Sequence, residues 1–189
     1  MKQGTCLKSE NRCVLISCPT DMKKVAILFG SSTGTTESIA LKIAGKLGPG
    51  KTDVFNVADI SINETADYTN LILGISTWGI GELQDDWEAF LPELAGAELR
   101  GKTVALFGLG DAESYPDSFV DGMGTIYEAI RDKGCKIVGM VDTEGYLFDH
   151  SKAVYGGRFI GLPLDEDNES DLTETRIDRW LEEITPRLG

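Results

Sequence analysis

The chain has 189 residues, of which 41% are hydrophobic and 26% charged, the proportions of one globular domain with a core of ordinary size. Its 31 acidic residues against 18 basic ones give a formal charge of −13, which disfavours tracking a nucleic-acid backbone or an anionic membrane surface and suggests basic partners instead. Four cysteines and one histidine leave little for a disulfide framework, a Cys/His zinc site or a histidine-centred triad, so the chemistry is expected to come from something bound.

No apolar run reaches the roughly 18 residues of a membrane span. Residues 1–21 hold Cys6, Cys13 and Cys18 and one short apolar patch, Val14 to Ile16, below the roughly 7–15 residues of a secretory core. Leu15-Ile16-Ser17-Cys18 has the form of a lipoprotein cleavage box but lacks that core. The expectation is an N-terminal extension over 1–21, disordered or a consequence of the assigned start, followed by one domain over 22–189 and a cytoplasmic location. The three cysteines match no metal spacing.

From Lys23 onward, short apolar runs alternate with helical patterns. Val25–Phe29, Asp53–Val57, Leu71–Ile75, Thr103–Phe107 and Ile137–Val141 read as strands, and the first, third and fourth are apolar at consecutive positions, as when helices cover both faces of a sheet. Apolar residues recur at helical spacing from Ile39 to Leu47, Trp87 to Leu94, Phe119 to Ile130 and Ile177 to Ile184. This alternation implies right-handed crossovers and a three-layer, doubly wound, five-stranded parallel sheet. About 30 residues separate Val141 from the last helix and contain a second strand-like run, Phe159–Leu164, which reads as a fifth strand interrupted by an insertion. Residues 1–52 carry eight Lys/Arg and three Asp/Glu, leaving 10 and 28 for the remainder, so the ends of the strands should be negative.

Directly after the first strand comes Gly30-Ser31-Ser32-Thr33-Gly34-Thr35-Thr36, and a helical pattern begins at Glu37. A strand, a turn rich in hydroxyls and a helix N-terminus together aim several N–H and O–H donors at one point. A P-loop would need a lysine where Thr35 stands, and G-x-G-x-x-G cannot be drawn through Gly30 and Gly34, so nucleotide hydrolysis and the dinucleotide fingerprint are both disfavoured. What remains is a cradle of neutral donors suited to a terminal phosphomonoester. Simple helix capping would use one or two of these hydroxyls, fewer than the run supplies.

Open α/β sheets bind ligands beyond the carboxyl ends of their strands, where the strand order reverses. The loops after the third and fourth strands, Ser76-Thr77-Trp78-Gly79-Ile80-Gly81-Glu82 and Leu109-Gly110-Asp111-Ala112-Glu113-Ser114-Tyr115, should share that crevice. Each carries an aromatic residue among glycines. Either ring alone could cover the sheet edge; the pair suggests a flat ligand ring held between them.

These residues, with Gly161-Leu162-Pro163-Leu164-Asp165-Glu166-Asp167-Asn168, resemble flavodoxin from about Met22 to the C-terminus, and the interrupted fifth strand places the likeness with the long-chain type. The resemblance implies strand order 2-1-3-4-5 and non-covalently bound FMN. Ser31, Ser32, Thr33, Gly34, Thr35 and Thr36 match the phosphate loop, and Trp78 and Tyr115 the aromatics on the two ring faces. Thr77 lies at the family's position near the ribityl chain, Ser76 is counted with it as cofactor-binding, and backbone groups around Gly110 and Asp111 match those at the pyrimidine edge. Leu109 and Ser118 depart from a common threonine and asparagine, which weakens polar contacts near the flavin. In the family the peptide after the tryptophan turns over on reduction, here Gly79-Ile80 ahead of Gly81, and glycine tolerates either orientation.

The implied activity is one-electron transfer on a low-potential semiquinone/hydroquinone couple, carried between a flavodoxin reductase and downstream acceptors by a monomer that binds neither nucleic acid nor membrane. Glu82, Asp85, Asp86, Asp111, Glu113 and Asp117 would surround an anionic reduced flavin with no Lys or Arg in either loop, disfavouring the second electron and steering basic partners. Glu166, Glu169 and Asp171 read instead as a solvated surface. An FMN-dependent NAD(P)H:quinone reductase is the alternative; the bulky Trp78 and Tyr115 argue against the open flavin face it needs. A phospho-acceptor domain is excluded, because Gly30-Ser31 and Ser76-Thr77 occupy the places where it needs acids. His150 reads as a surface residue of the insertion, Cys135 as a small buried one, and Tyr146 and Tyr155 as anchors of the insertion or contacts for a partner.

Overall fold

The computed structural model describes residues 24–189; the expectations for the first 21 residues lie outside that range. Strand β1 (Val25–Phe29) is buried along its whole length, and its neighbouring side chains serve opposite faces. Val25, Ile27 and Phe29 pack with Ile39 and Ile43 of helix α1 (Thr35–Leu47), while Ala26 and Leu28 join the other core. That is why the run shows no alternation in sequence.

The chain continues through β2 (Thr52–Asn56), β3 (Asn70–Trp78), β4 (Glu82–Leu83), α2 (Asp85–Gly96), β5 (Thr103–Leu109), α3 (Asp121–Ile130), β6 (Lys136–Val138), β7 (Val141–Asp142), β8 (Val154–Tyr155), β9 (Arg158–Phe159), β10 (Leu162–Leu164) and α4 (Thr173–Ile184). The main sheet runs β10-β5-β3-β1-β2, all parallel. β6 lies parallel to β5 on the same side as β10, against Thr103–Ala105, whereas β10 faces Phe107–Leu109. The two short strands fill one edge in succession and together make the expected interrupted fifth strand. Pro163 is admissible there because an edge strand leaves one row of its N–H groups unused. Helices α1 and α4 cover one face, where Trp180 is buried; α2 and α3 cover the other, where Trp87 is fully buried.

Several boundaries differ from those expected. β3 runs to Trp78 rather than Ile75, because Thr77 and Trp78 pair antiparallel with Leu83 and Glu82. Helix α3 begins at Asp121, since Val120 takes a left-handed conformation (φ 52°) and ends the run from Phe119. The fifth strand leaves the sheet after Val138, and the apolar run from Phe159 splits between β9 and β10.

The excursion forms its own antiparallel sheet, β7-β9-β8. Phe119, Tyr146, Phe148 and Phe159 pack beneath it with ring centroids 5.0–6.5 Å apart. Tyr146 therefore anchors the insertion. Tyr155 is 54% exposed and lies against Tyr127, and His150 is exposed. Cys135 is half-buried, with its thiol pushed up chiefly by burial.

Burial also pushes the Tyr146 phenol up to about 12. A raised folded-state value means that this contribution to stability is complete below the unfolded tyrosine value of 10.0 and is lost as pH rises toward 12. The urea midpoint is expected to fall between pH 10 and 12 by the equivalent of about 2–3 kcal/mol, and Tyr146→Phe should remove that part of the slope. An unchanged slope in the variant would refute the assignment.

Candidate functional site

At the C-terminal ends of β1, β3 and β5 a cavity of about 530 Å³ opens, within the usual size range of cofactor sites. Thr33, Thr35 and Thr36 form one end, Ser76, Thr77, Trp78 and Gly79 one side, and Leu109, Gly110, Asp111, Tyr115 and Ser118 the other. Three segments far apart in sequence are brought to one cleft because β1, β3 and β5 are adjacent in the sheet. Ser31, Ser32, Gly34, Ile80 and Gly81 lie off its wall.

The off-wall members shape the loop. Gly34, the N-cap of α1, is left-handed (φ 87°) and supplies no side-chain cap. Its amide donates to Ser31 Oγ at 3.0 Å, closing the turn. The first intrahelical bond runs from the Ser38 amide to Gly34 O at 2.9 Å, so the amides of the first turn keep no partner within the helix. Those amides, with the Thr33 and Thr35 hydroxyls 3.2 Å apart, form a donor set with no cation, the chemistry a phosphate monoester fits.

Gln84 and Trp87 support this loop, and neither stands out in the sequence as part of a site. Gln84 is 2% exposed; its Nε2 donates to Ser32 Oγ at 3.1 Å and to Asp86 Oδ2 at 2.6 Å. Trp87 Nε1 donates to Gly74 O at 2.8 Å. A Cβ on Gly30 would meet Gln84 Oε1 at 2.4 Å and Trp87 Cδ1 at 2.6 Å, so the glycine lets the loop lie directly on these side chains.

Trp78 and Tyr115 are 44% and 43% exposed, large rings left uncovered at the cavity mouth. Thr77 Oγ1 accepts the Gly122 amide at 3.0 Å, which fixes the start of α3 against β3. Ile80, 81% exposed, gives its amide to Glu82 Oε2 at 3.0 Å. Burial raises the Asp111 carboxyl, but donors from Ser114, Asn168 and Glu113 outweigh it and hold the group below its usual range.

One expectation is corrected. Glu166, read as a solvated surface acid, lines the cavity together with Asp167, because β10 returns beside Leu109 and delivers the following turn to the cleft. Glu166 accepts a hydrogen bond from Thr173 Oγ1. Glu169, by contrast, pairs with Arg176 at 2.7 Å. No local pattern marks these acids; the strand pairing that places them is a long-range contact.

A doubly wound parallel sheet with a set of uncharged hydroxyl and amide donors and two uncovered rings at its switch point defines an open α/β protein with its cleft at the carboxyl ends of the strands. The family model described as Flavodoxin matches residues 27–180, and the chain belongs to the flavodoxin family. It is 43% identical over 167 residues to the flavodoxin of Nostoc sp., covering 88% of this chain and 98% of that one. Identity to the flavodoxin of Synechocystis sp. is 44% over 168 residues, covering 88% and 99%. Among solved structures, the Fusobacterium nucleatum flavodoxin bound to flavin mononucleotide superimposes with a TM-score of 0.85 at 34% identity, covering 89% of this chain and 100% of that one.

Proposed function

We infer that this chain is an electron carrier working through non-covalently bound FMN, an electron-transfer protein rather than an enzyme. When bound, the flavin supplies the redox chemistry; the protein supplies binding, orientation and electrostatics. Thr33, Thr35 and Thr36, with the amides of the first turn of α1, hold the phosphate, and Ser31, Ser32 and Gly34 set the shape of that loop. Trp78 and Tyr115 clasp the ring, Ser76 and Thr77 flank the chain between ring and phosphate, and the backbone from Leu109 to Asp111 meets the polar ring edge. Ser118, 4% exposed, closes the floor.

The observation that carries the low-potential reading is the charge of the wall. Asp111, Glu166 and Asp167 line the cavity, and among the described residues its lining contains no lysine or arginine. Added negative charge on a ligand there is opposed by like charges in a partly desolvated site. Replacing Glu166 by Gln and Asp167 by Asn should raise the midpoint of the second electron by about 20–40 mV per carboxylate, from roughly 0.5–1 kcal/mol of screened repulsion each. Potentiometric titration reads this directly, and an unmoved midpoint would refute the electrostatic account. Stepwise photoreduction of the yellow protein tests the carrier reading itself; a colourless protein that refuses added FMN would overturn it.

The partners are redox proteins with basic docking surfaces, a flavodoxin reductase on one side and acceptors on the other. Trp78, Ile80 and Tyr115 give the mouth an exposed apolar centre, and the acids around it set the sign of the approaching surface. Transfer rates measured by stopped flow should fall as salt rises, and rates indifferent to ionic strength would refute this steering. The protein acts as a cytoplasmic monomer and binds neither nucleic acid nor membrane. Among the described residues no helix is long and apolar enough to cross a membrane.

A further inference from the structure

Asp165 follows the last residue of β10 and is 1% exposed. Among the described residues no lysine, arginine or histidine pairs with its carboxylate; its partners are N–H groups alone. Oδ1 accepts from the amides of Asp167 (3.2 Å) and Asn168 (3.0 Å), the pattern of a side-chain-mediated turn. Oδ2 accepts from the amide of Ala112 at 3.0 Å, on the loop that carries Tyr115 and 53 residues away in sequence. The local turn does not need that bond.

A second link runs parallel to the first. Asn168 Nδ2 donates to Asp165 Oδ1 and Oδ2 at 3.0 and 2.9 Å, and also to Asp111 Oδ1 at 2.9 Å. That same Asp111 oxygen accepts the amides of Glu113 (3.1 Å) and Ser114 (2.8 Å), and the Tyr115 amide donates to Asp111 O at 3.1 Å. The Gly110 amide donates to Leu164 O at 3.1 Å, so the ladder of β10 and β5 leads straight into this network. A buried carboxylate is tolerated only when its lone pairs are satisfied, so Asp165 can keep its place only while Ala112 and Asn168 keep theirs.

We propose that Asp165 is a positioning residue for the flavin ring: through Ala112 and Asn168 it latches the Tyr115 loop to the end of β10, and so sets ring affinity without touching the phosphate loop. This rests on the FMN reading above and adds a residue outside the cavity wall. A residue that served stability alone would weaken every ligand together. A latch separates them, because the phosphate cradle stands on β1 and α1 while the ring loop stands on β5 and β10.

The test uses the full chain with Asp165→Asn, whose amide cannot accept from all these donors. Amide exchange in the FMN-free protein should rise at Ala112, Glu113 and Ser114 by about tenfold or more, while the amides of α1 are unchanged. Affinities for riboflavin and for FMN should both fall about tenfold, the scale of one charge-assisted hydrogen bond, with affinity for inorganic phosphate held within twofold. Residual fluorescence of the bound flavin should rise as the phenol ring loosens. Unchanged exchange at 112–114 overturns the latch, and so does an equal loss for riboflavin and phosphate. Should Asp165→Asn fail to fold, Asn168→Ala removes the side-chain bonds to Asp111 and to Asp165 but leaves the Ala112 amide on Asp165 Oδ2, and must give the same order of effects with smaller size. If the wild-type chain refuses FMN, the functional reading falls, and exchange at Ala112 alone decides the latch.

Discussion

With Thr35 and Thr36 both replaced by valine, affinity for FMN is expected to fall by about two to four orders of magnitude while affinity for riboflavin stays within a few-fold. Each hydroxyl bond to a charged group contributes about 1.5–3 kcal/mol, and every 1.4 kcal/mol is a factor of ten. The valines keep the volume, and Thr36 is 1% exposed, so its hydroxyl has no bulk water to replace a lost partner. Among the described residues the lining at that end holds Thr33, Thr35 and Thr36 and no cation to soften the loss. Fluorescence titration of apoprotein with the two flavins reads the difference. Equal losses for both would mean that these hydroxyls support the loop rather than grip the phosphate.

That experiment probes what the sequence displayed most openly. The loop from Gly30 to Thr36 is local, so its donors, its helix start and its missing lysine are all visible in a few letters. The two-faced burial of β1 and β5 was equally legible, because a strand covered by helices on both sides is apolar at every position. Even the interrupted fifth strand showed itself as two apolar runs, although their limits moved: the chain leaves the sheet after Val138, where Trp180 Nε1 donates to Gly139 O at 2.9 Å.

Tertiary placement was harder to read. Gln84 looks like an ordinary helix cap and Trp87 like ordinary core, yet Gln84 reaches Ser32 across 52 residues, and both side chains fill the space that a Cβ on Gly30 would need. Glu166 and Asp167 sit in a run of acids whose composition says solvent. Only the register of β10 on β5, Leu164 opposite Leu109, turns that run toward the cleft. Val120 was hidden for a different reason: a β-branched residue in the left-handed region runs against local preference and is held there by its surroundings.

The turn at the mouth gives the sharpest test of coupling between backbone and potential. Gly79 is left-handed (φ 49°), and a Cβ there would stand 2.4 Å from Glu82 Oε2, the oxygen that accepts the Ile80 amide at 3.0 Å. Gly79→Ala therefore does two things at once. It strains the backbone by about 1–2 kcal/mol, and it displaces the carboxylate that fixes the orientation of the Gly79-Ile80 peptide. If the one- and two-electron reduced states use this left-handed conformation and the oxidised state does not, the first midpoint should fall toward the second by about 40–90 mV, the same energy expressed per electron. The long-wavelength absorbance at half reduction should fall accordingly. Glu82→Gln separates the causes, because its carbonyl can still accept the Ile80 amide while the charge is gone. It should leave the spacing of the midpoints nearly intact and raise both slightly through the lost negative charge. A Gly79→Ala protein with unaltered spacing would show that this turn holds one conformation throughout the redox cycle, and that charge alone sets the potentials.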